Sequence, residues 1–303
     1  MTAKEKLQLR GVIPAIITPM DEQGKIDFDL LEKQAAYLSG AGVHGFFVGG
    51  TTAEGAYLST EEKGEIFKVV RRVTEGRQFL CAAYIQPSTA AVLEQMRALE
   101  ATGPDYIVAV TPYYLAMRQE DILQHFRRIA ASASAPLILY NIPGNTHNPI
   151  ALETVIELAE EKNIAGIKDS TGNFIDFSRG VLGKRPQGFV WIQGEDYLDG
   201  PSLMIGCDGI VTGLGNARIE PYVRMYEAAE RGEWGTVRQC QGRINTLYGI
   251  IRLCGNSIAA AKAAAELAGR GSRWMRQNSQ SLSDEQVKEV AGILEEFDAA
   301  VPA

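Results

Sequence analysis

The sequence predicts a closed (β/α)8, or TIM, barrel with a C-terminal helical extension. Three observations lead there. Eight short β-like runs alternate with amphipathic helical stretches between Val12 and Thr212. The runs are almost continuously apolar, as parallel strands covered on both faces must be. No GxGxxG follows the first run, which disfavours the doubly wound sheet, the alternative α/β architecture. From Ala217 onward the pattern is helical only, with no linker-like stretch. Residues 1–216 are therefore expected to form the barrel core, and 217–303 the last barrel helix and the extension, in one domain.

The elements follow in order. The first strand is Val12 to Thr18, stopped by Pro19. Asp27 caps a helix carrying Phe28, Leu31, Ala35 and Leu38 that ends at Ser39-Gly40. Val43 to Val48 is the second strand. Ser59 and Glu62 have the spacing of a capping box and open the next helix. Gln78 to Tyr84 and Ser88 to Glu100 form the third strand and helix, and Tyr106 to Val110 and Gln119 to Ala131 the fourth. Leu137 to Asn141 is the fifth strand, broken by Pro143-Gly144; Pro149 suits the entrance of a helix running to Glu160. Ile164 to Lys168, Phe189 to Gln193 and Gly209 to Thr212 complete the set. Ala217–Arg231, Glu233–Cys254, Ser257–Ala268 and Ser283–Ala299 are the helices of the tail.

Composition narrows the function classes. The 303 residues are 46% apolar and 22% charged, with 30 Lys plus Arg against 37 Asp plus Glu, a net charge of −7. No segment gathers basic residues with aromatics, so nucleic acid is not an expected partner. The start, MTAKEKLQLRG, lacks the apolar region of a signal peptide and no run reaches membrane-spanning length, so a cytoplasmic protein without a membrane is expected. Cys81, Cys207, Cys240 and Cys254 form no CxxC pair and are read as reduced thiols. No cluster of His, Cys and carboxylate has ligand spacing, so no metal is required.

In a barrel, reactive groups come from the C-terminal ends of the strands. These are chemically crowded here. Ile164-Ala-Gly-Ile-Lys-Asp-Ser170 delivers an ammonium out of an apolar run, either a nucleophile for a carbonyl substrate or a lysine that snorkels to solvent. Gly49-Gly-Thr-Thr-Ala-Glu-Gly55 is a tight turn whose backbone N–H groups are also able to hold an anion. Tyr140 is either a packed aromatic or, on the strand next to that of Lys168, a proton relay. Tyr113 and Tyr114 suit a loop plug or an interface as well as a site. His147 is the one histidine in a top-face loop; His44 and His125 are read as structural or solvated. Gly213-Leu-Gly-Asn216 hints at a phosphate loop or simply turns the chain.

Gly50-Thr-Thr-Ala-Glu54, Thr111-Pro-Tyr-Tyr114, Tyr140-Asn-Ile-Pro143 and Gly166-Ile-Lys-Asp-Ser170, in this order, resemble the pyruvate-dependent class I aldolase family that contains dihydrodipicolinate synthase and N-acetylneuraminate lyase. The resemblance runs from about Gly11 to the C-terminal helices. It implies the barrel fold, a homotetramer built as a dimer of dimers, and no cofactor beyond a covalent lysine Schiff base. By the same resemblance Lys168 is the Schiff-base lysine and Tyr140 the proton relay. Gly50, Thr51 and Thr52 hold the carboxylate of a 2-keto acid, and Tyr114 reaches across a tight dimer interface.

Two departures bear on the substrate. Ala53 stands where the family usually has glycine. Asn145 stands where the synthases carry an arginine for the carboxylate of aspartate semialdehyde, and an amide cannot supply that bidentate cation. With His147, Glu195, Asp196 and Thr212 as polar groups for the far end of the substrate, the expected activity is cleavage of a 2-keto-3-deoxy sugar acid, or a similar hydroxylated 2-keto acid, to release pyruvate. The alternatives are dihydrodipicolinate synthesis, dehydration of a 2-keto-3-deoxy acid through the same iminium, a barrel enzyme for a phosphorylated substrate, and a non-catalytic ligand-binding member.

Overall fold

The structure, a computed structural model, describes residues 8–300. Residues 1–7 of the N-terminal stretch read above for a signal lie outside the described residues. Strands and helices alternate as β1 (Gly11–Pro14), α1 (Phe28–Gly40), β2 (Gly45–Val48), α2 (Thr60–Thr74), β3 (Phe79–Tyr84) and α3 (Thr89–Leu99). Then come β4 (Tyr106–Val110), α4 (Gln119–Ser132), β5 (Leu137–Asn141), a single-turn α5 (Pro143–Thr146), α6 (Leu152–Ala159) and β6 (Ile164–Asp169). The barrel ends with α7 (Phe174–Leu182), β7 (Val190–Gln193), α8 (Asp199–Met204), β8 (Gly209–Thr212) and α9 (Glu220–Glu230).

The eight strands form one parallel sheet in the order β1-β8-β7-β6-β5-β4-β3-β2. It closes where Ala15 bridges Phe47, the N–H of His44 donating to the Val12 carbonyl and that of Ile16 to the Phe47 carbonyl. Alternation along each strand divides the apolar residues between two layers. Ile13, Phe47, Val108, Ile138, Tyr140, Ile192 and Val211 fill the barrel interior. Val12, Phe46, Val48, Leu137, Leu139 and Ile167 pack outward under the helices. This double burial is why the strands are nearly continuous apolar runs in the sequence.

The caps explain where several helices begin. Asp27 accepts from the N–H of Leu30, and Ser59 and Glu62 form the predicted capping box. Other boundaries differ from expectation for local reasons. The first strand stops at Pro14 because beyond Ala15 the N–H of Ile17 turns to the Asn216 side chain instead of a strand neighbour. The helix after Pro149 begins only at Leu152: Ile150 is tied to the Asn141 side chain and Ala151 to that of Gln119. The expected single helix Glu233–Cys254 is α10 (Trp234–Leu247) and α11 (Gly249–Cys254), with Tyr248 closing the first and opening the second.

Two more helices, α12 (Ser257–Leu267) and α13 (Asp284–Ala299), complete the extension. Its polar anchors to the barrel are specific. Arg270 donates to Gln34 and to the carbonyls of Asn216 and Ala217, Arg218 pairs with Asp298, and Lys262 with Glu54. Cys81, Cys207 and Cys240 are buried free thiols, and Cys254 is a half-buried one. No helix among the described residues is long and apolar enough to cross a membrane.

Candidate active site

The site is organised by the pairing of β5 with β6. Tyr140 lies opposite Lys168 in the ladder, as Val110 does opposite Tyr140 and Ile192 opposite Lys168. Residues in register on neighbouring strands point to the same face, so the lysine and the tyrosine both enter the barrel interior. Lys168 is only 5% exposed. Its Nζ sits 4.0 Å from the centroid of the Tyr140 ring and 4.3 Å from that of Phe47, two rings that meet edge to face. Among the described residues it forms no ion pair and no hydrogen bond.

Room for the amine comes from Gly194, at the end of β7. A Cβ there would lie 2.9 Å from Lys168 Cε and 2.3 Å from Ser170 Oγ. The neighbouring carboxylate, Asp169, faces the other way. It accepts from the N–H and hydroxyl of Thr171 and from Asn141, and burial still pushes its carboxyl above the usual range.

The hydroxyl hairpin follows β2. The N–H groups of Ala53 and Gly55 turn back to the Gly50 carbonyl and that of Glu54 to the Thr51 carbonyl, while the N–H groups of Thr51 and Thr52 have no acceptor among the described residues. Gly55 is obligatory, since a Cβ would sit 1.8 Å from the Gly49 carbonyl oxygen. Thr52 lies against Gly213 and Gly50 against the Phe47 ring. Ala53 needs no left-handed backbone; Glu54 takes that conformation, with φ 57°. The alanine therefore fits the turn, and its carbonyl accepts from Thr18 Oγ1.

A cavity of about 470 Å³ opens beside the hairpin, walled by Thr51, Glu54, Tyr113, Asn145 and Thr146 from the barrel and by Asn256, Ser257, Met275 and Gln280 from the extension. A larger hollow, about 840 Å³, lies at the opposite rim near Arg10, Cys207, Asp208 and Trp234, away from the lysine. Among the described residues no Lys or Arg lines the 470 Å³ cavity.

Of the predicted site residues, Thr51 and Asn145 line this cavity, whereas Lys168, Tyr140 and Thr52 do not. Asp196 and Thr212 are bound to one another, Thr212 Oγ1 donating at 2.5 Å to Asp196 Oδ1, which also accepts from Tyr222. Burial raises the Asp196 carboxyl despite these bonds and the charge of Lys168. Burial also raises Glu195, helped by the Asp196 charge. His147 is exposed, in a left-handed conformation after α5, and outside the cavity wall. Tyr114 is 91% exposed with φ 81°. His44 and His125 are structural. His44 Nδ1 accepts from Val12, and His125 bridges Thr89 and the Val110 carbonyl. Sequence reasoning missed Asn256, Ser257, Met275 and Gln280, which no local motif ties to the distant barrel residues they face. Among the described residues no three His, Cys, Asp or Glu side chains converge on a metal site.

An amine without a hydrogen bond or ion pair among the described residues, set against a phenol ring in a barrel interior, is the arrangement that a Schiff-base-forming lyase needs. A profile of the dihydrodipicolinate synthetase family matches residues 8–297. A 4-hydroxy-tetrahydrodipicolinate synthase of Neisseria meningitidis serogroup B is 34% identical over 262 residues, covering 86% of this chain and 89% of the relative. The synthase of Methanospirillum hungatei is 31% identical over 290 residues, 95% of this chain and 99% of its own. The crystal structure of the Cyanidioschyzon merolae enzyme with lysine bound superposes with a TM-score of 0.89 at 30% identity, covering 97% of this chain and 99% of that one. The chain belongs to the dihydrodipicolinate synthetase family and is a class I, Schiff-base lyase acting on a small 2-keto acid.

Proposed function

We propose that the chain condenses pyruvate with aspartate semialdehyde, the reaction of the synthases it resembles. Whole-length likeness to those synthases favours this alternative over the sugar-acid reading. The observation that carries the chemistry is the unpaired Lys168 amine against the Tyr140 ring.

Lys168, neutral at the moment of attack, adds to the C2 carbonyl of pyruvate. The carboxylate is held by the N–H groups and hydroxyls of Thr51 and Thr52, with Gly50, which leaves room for the Phe47 ring, opening the hairpin. Tyr140 carries the proton while water leaves. The iminium draws electrons from C3, a C3 proton departs, and the enamine carbon bonds to the aldehyde carbon, whose oxygen takes up a proton. The iminium re-formed by that bond is then attacked by the amino group of the semialdehyde, which displaces Lys168 as the ring closes. Tyr114, exposed and held in a conformation unusual for a bulky residue, is assigned to the interface of a homotetramer or dimer.

A second reading is favoured by one feature. Among the described residues the cavity wall offers amides and hydroxyls, with Asn145 among them, beside Glu54, and no Lys or Arg for a second carboxylate. That lining suits a hydroxylated 2-keto acid, whose C3–C4 bond breaks, or whose C4 or C5 substituent leaves, through the same iminium. Turnover of pyruvate with aspartate semialdehyde, followed by a coupled assay, supports the condensation. Turnover confined to 2-keto-3-deoxy sugar acids replaces it with the second reading. Light scattering tests the assembly.

A further inference from the structure

The hairpin that carries Thr51 and Thr52 is gripped from outside the barrel. Glu54, directly after it, is buried in the left-handed conformation that non-glycine residues rarely adopt. Its Oε1 accepts from Lys262 Nζ at 2.6 Å, and its Oε2 from the N–H of Arg276 at 2.8 Å. Both side chains of the ion pair are shut off from water, at 0% and 1% exposure. Arg276 also reaches forward: its guanidinium donates at 2.7 Å to Glu62, whose other oxygen accepts from the N–H of Ser59. The stretch from Gly49 to Glu62 is thus clasped at two points by α12 and the segment after it, and that segment also sends Met275 into the cavity wall.

A buried ion pair is weak evidence of stabilisation, because desolvation cancels much of the attraction; fixing one geometry is its better-supported use. The geometry fixed here is that of the hairpin. We propose that Lys262 is a positioning residue for the keto-acid carboxylate: through Glu54 it holds the turn so that the Thr51 and Thr52 N–H groups face the bound anion. The helical extension is in this way part of the substrate site. The inference rests on the proposed role of Thr51 and Thr52 and deepens it.

The test is trapping of the Lys168 adduct with borohydride over a range of pyruvate concentrations, and in parallel with acetone, a ketone lacking the carboxylate. In Lys262→Met the half-saturating pyruvate concentration rises roughly tenfold or more, as expected when binding groups are misplaced. Adduct formation at saturation, and trapping of acetone, stay within about twofold of the parent, since the lysine chemistry itself is untouched. Glu54→Gln, which keeps an acceptor for Arg276 and nearly the same volume, shifts pyruvate in the same direction and serves if Lys262→Met does not fold. The double variant is no worse than Lys262→Met alone, because both act through one contact. Equal losses for acetone and pyruvate, or an unchanged pyruvate midpoint in both variants, would reduce the pair to a structural role and overturn the proposal. Absence of any adduct on the parent would instead remove the Schiff-base reading beneath it.

Discussion

Lys168 and Lys262 are almost equally hidden, yet they are opposites in what surrounds them. Lys262 spends its charge on Glu54 at 2.6 Å and connects two parts of the fold. Lys168 lies over the faces of Phe47 and Tyr140, with its charge felt by Asp196, and makes no hydrogen bond or ion pair among the described residues. Burial alone therefore does not single out the amine proposed as the nucleophile; burial without a hydrogen bond or ion pair among the described residues, at the end of a barrel strand, is what sets Lys168 apart. Lys63 stands between them, buried with one hydrogen bond to Gln95 and lowered by desolvation to about 8, but placed on α2, outside the barrel.

Substitutions separate these roles. Lys168→Ala is expected to take turnover to background while circular dichroism shows the fold retained, since no ion pair is lost. Tyr140→Phe keeps the ring against Lys168 and removes the hydroxyl, so kcat should fall by roughly 10²–10⁴-fold, the usual worth of a general acid–base group. Lys262→Met leaves the Glu54 carboxylate buried and without its cation and should cost about 3–5 kcal/mol in denaturant unfolding. Lys168→Met should cost far less, and equal losses would erase the contrast.

Two smaller effects depend on pH. His125, buried against Thr89 and Val110, titrates at about 4 in the folded chain against 6.5 when free. Between these values the unfolded chain takes the proton and the folded one does not. Stability should fall by about 3 kcal/mol as pH drops from about 6.5 to 4, and His125→Gln should flatten that slope. Lys63 titrates at about 8 folded against 10.5 unfolded. Below pH 8 the folded chain carries the full burial penalty, so Lys63→Met should be more stable than the parent by about 1–2 kcal/mol at pH 7. That advantage should fade as pH rises to 10.5, and thermal melts at about pH 7 and 10 measure it.

Much of the fold was legible because it is built from local signals. The runs around Phe46, Leu139 and Ile167 are apolar on both faces, and Ser59 with Glu62 announces a helix by spacing alone. Lys168 and Tyr140 were legible for a related reason: strand order places their strands side by side, and only their register had to be supplied. The cavity wall was not. Asn256 serves as the N-cap of α12 and looks like nothing more in sequence. Asp196 and Thr212 looked like substrate groups from loop position, yet they bond to each other, a contact between loops that no spacing rule contains. The reach of Lys262 to Glu54 spans 208 positions and was equally invisible.

The central claim is that Lys168 attacks the carbonyl of a 2-keto acid, and intact mass after borohydride treatment tests it directly. With pyruvate present the parent should gain one reduced pyruvyl group, lost in Lys168→Ala and mapped by peptide digestion to Lys168. A parent that gains no mass with pyruvate or with longer 2-keto acids, or an adduct that persists in Lys168→Ala, would contradict it.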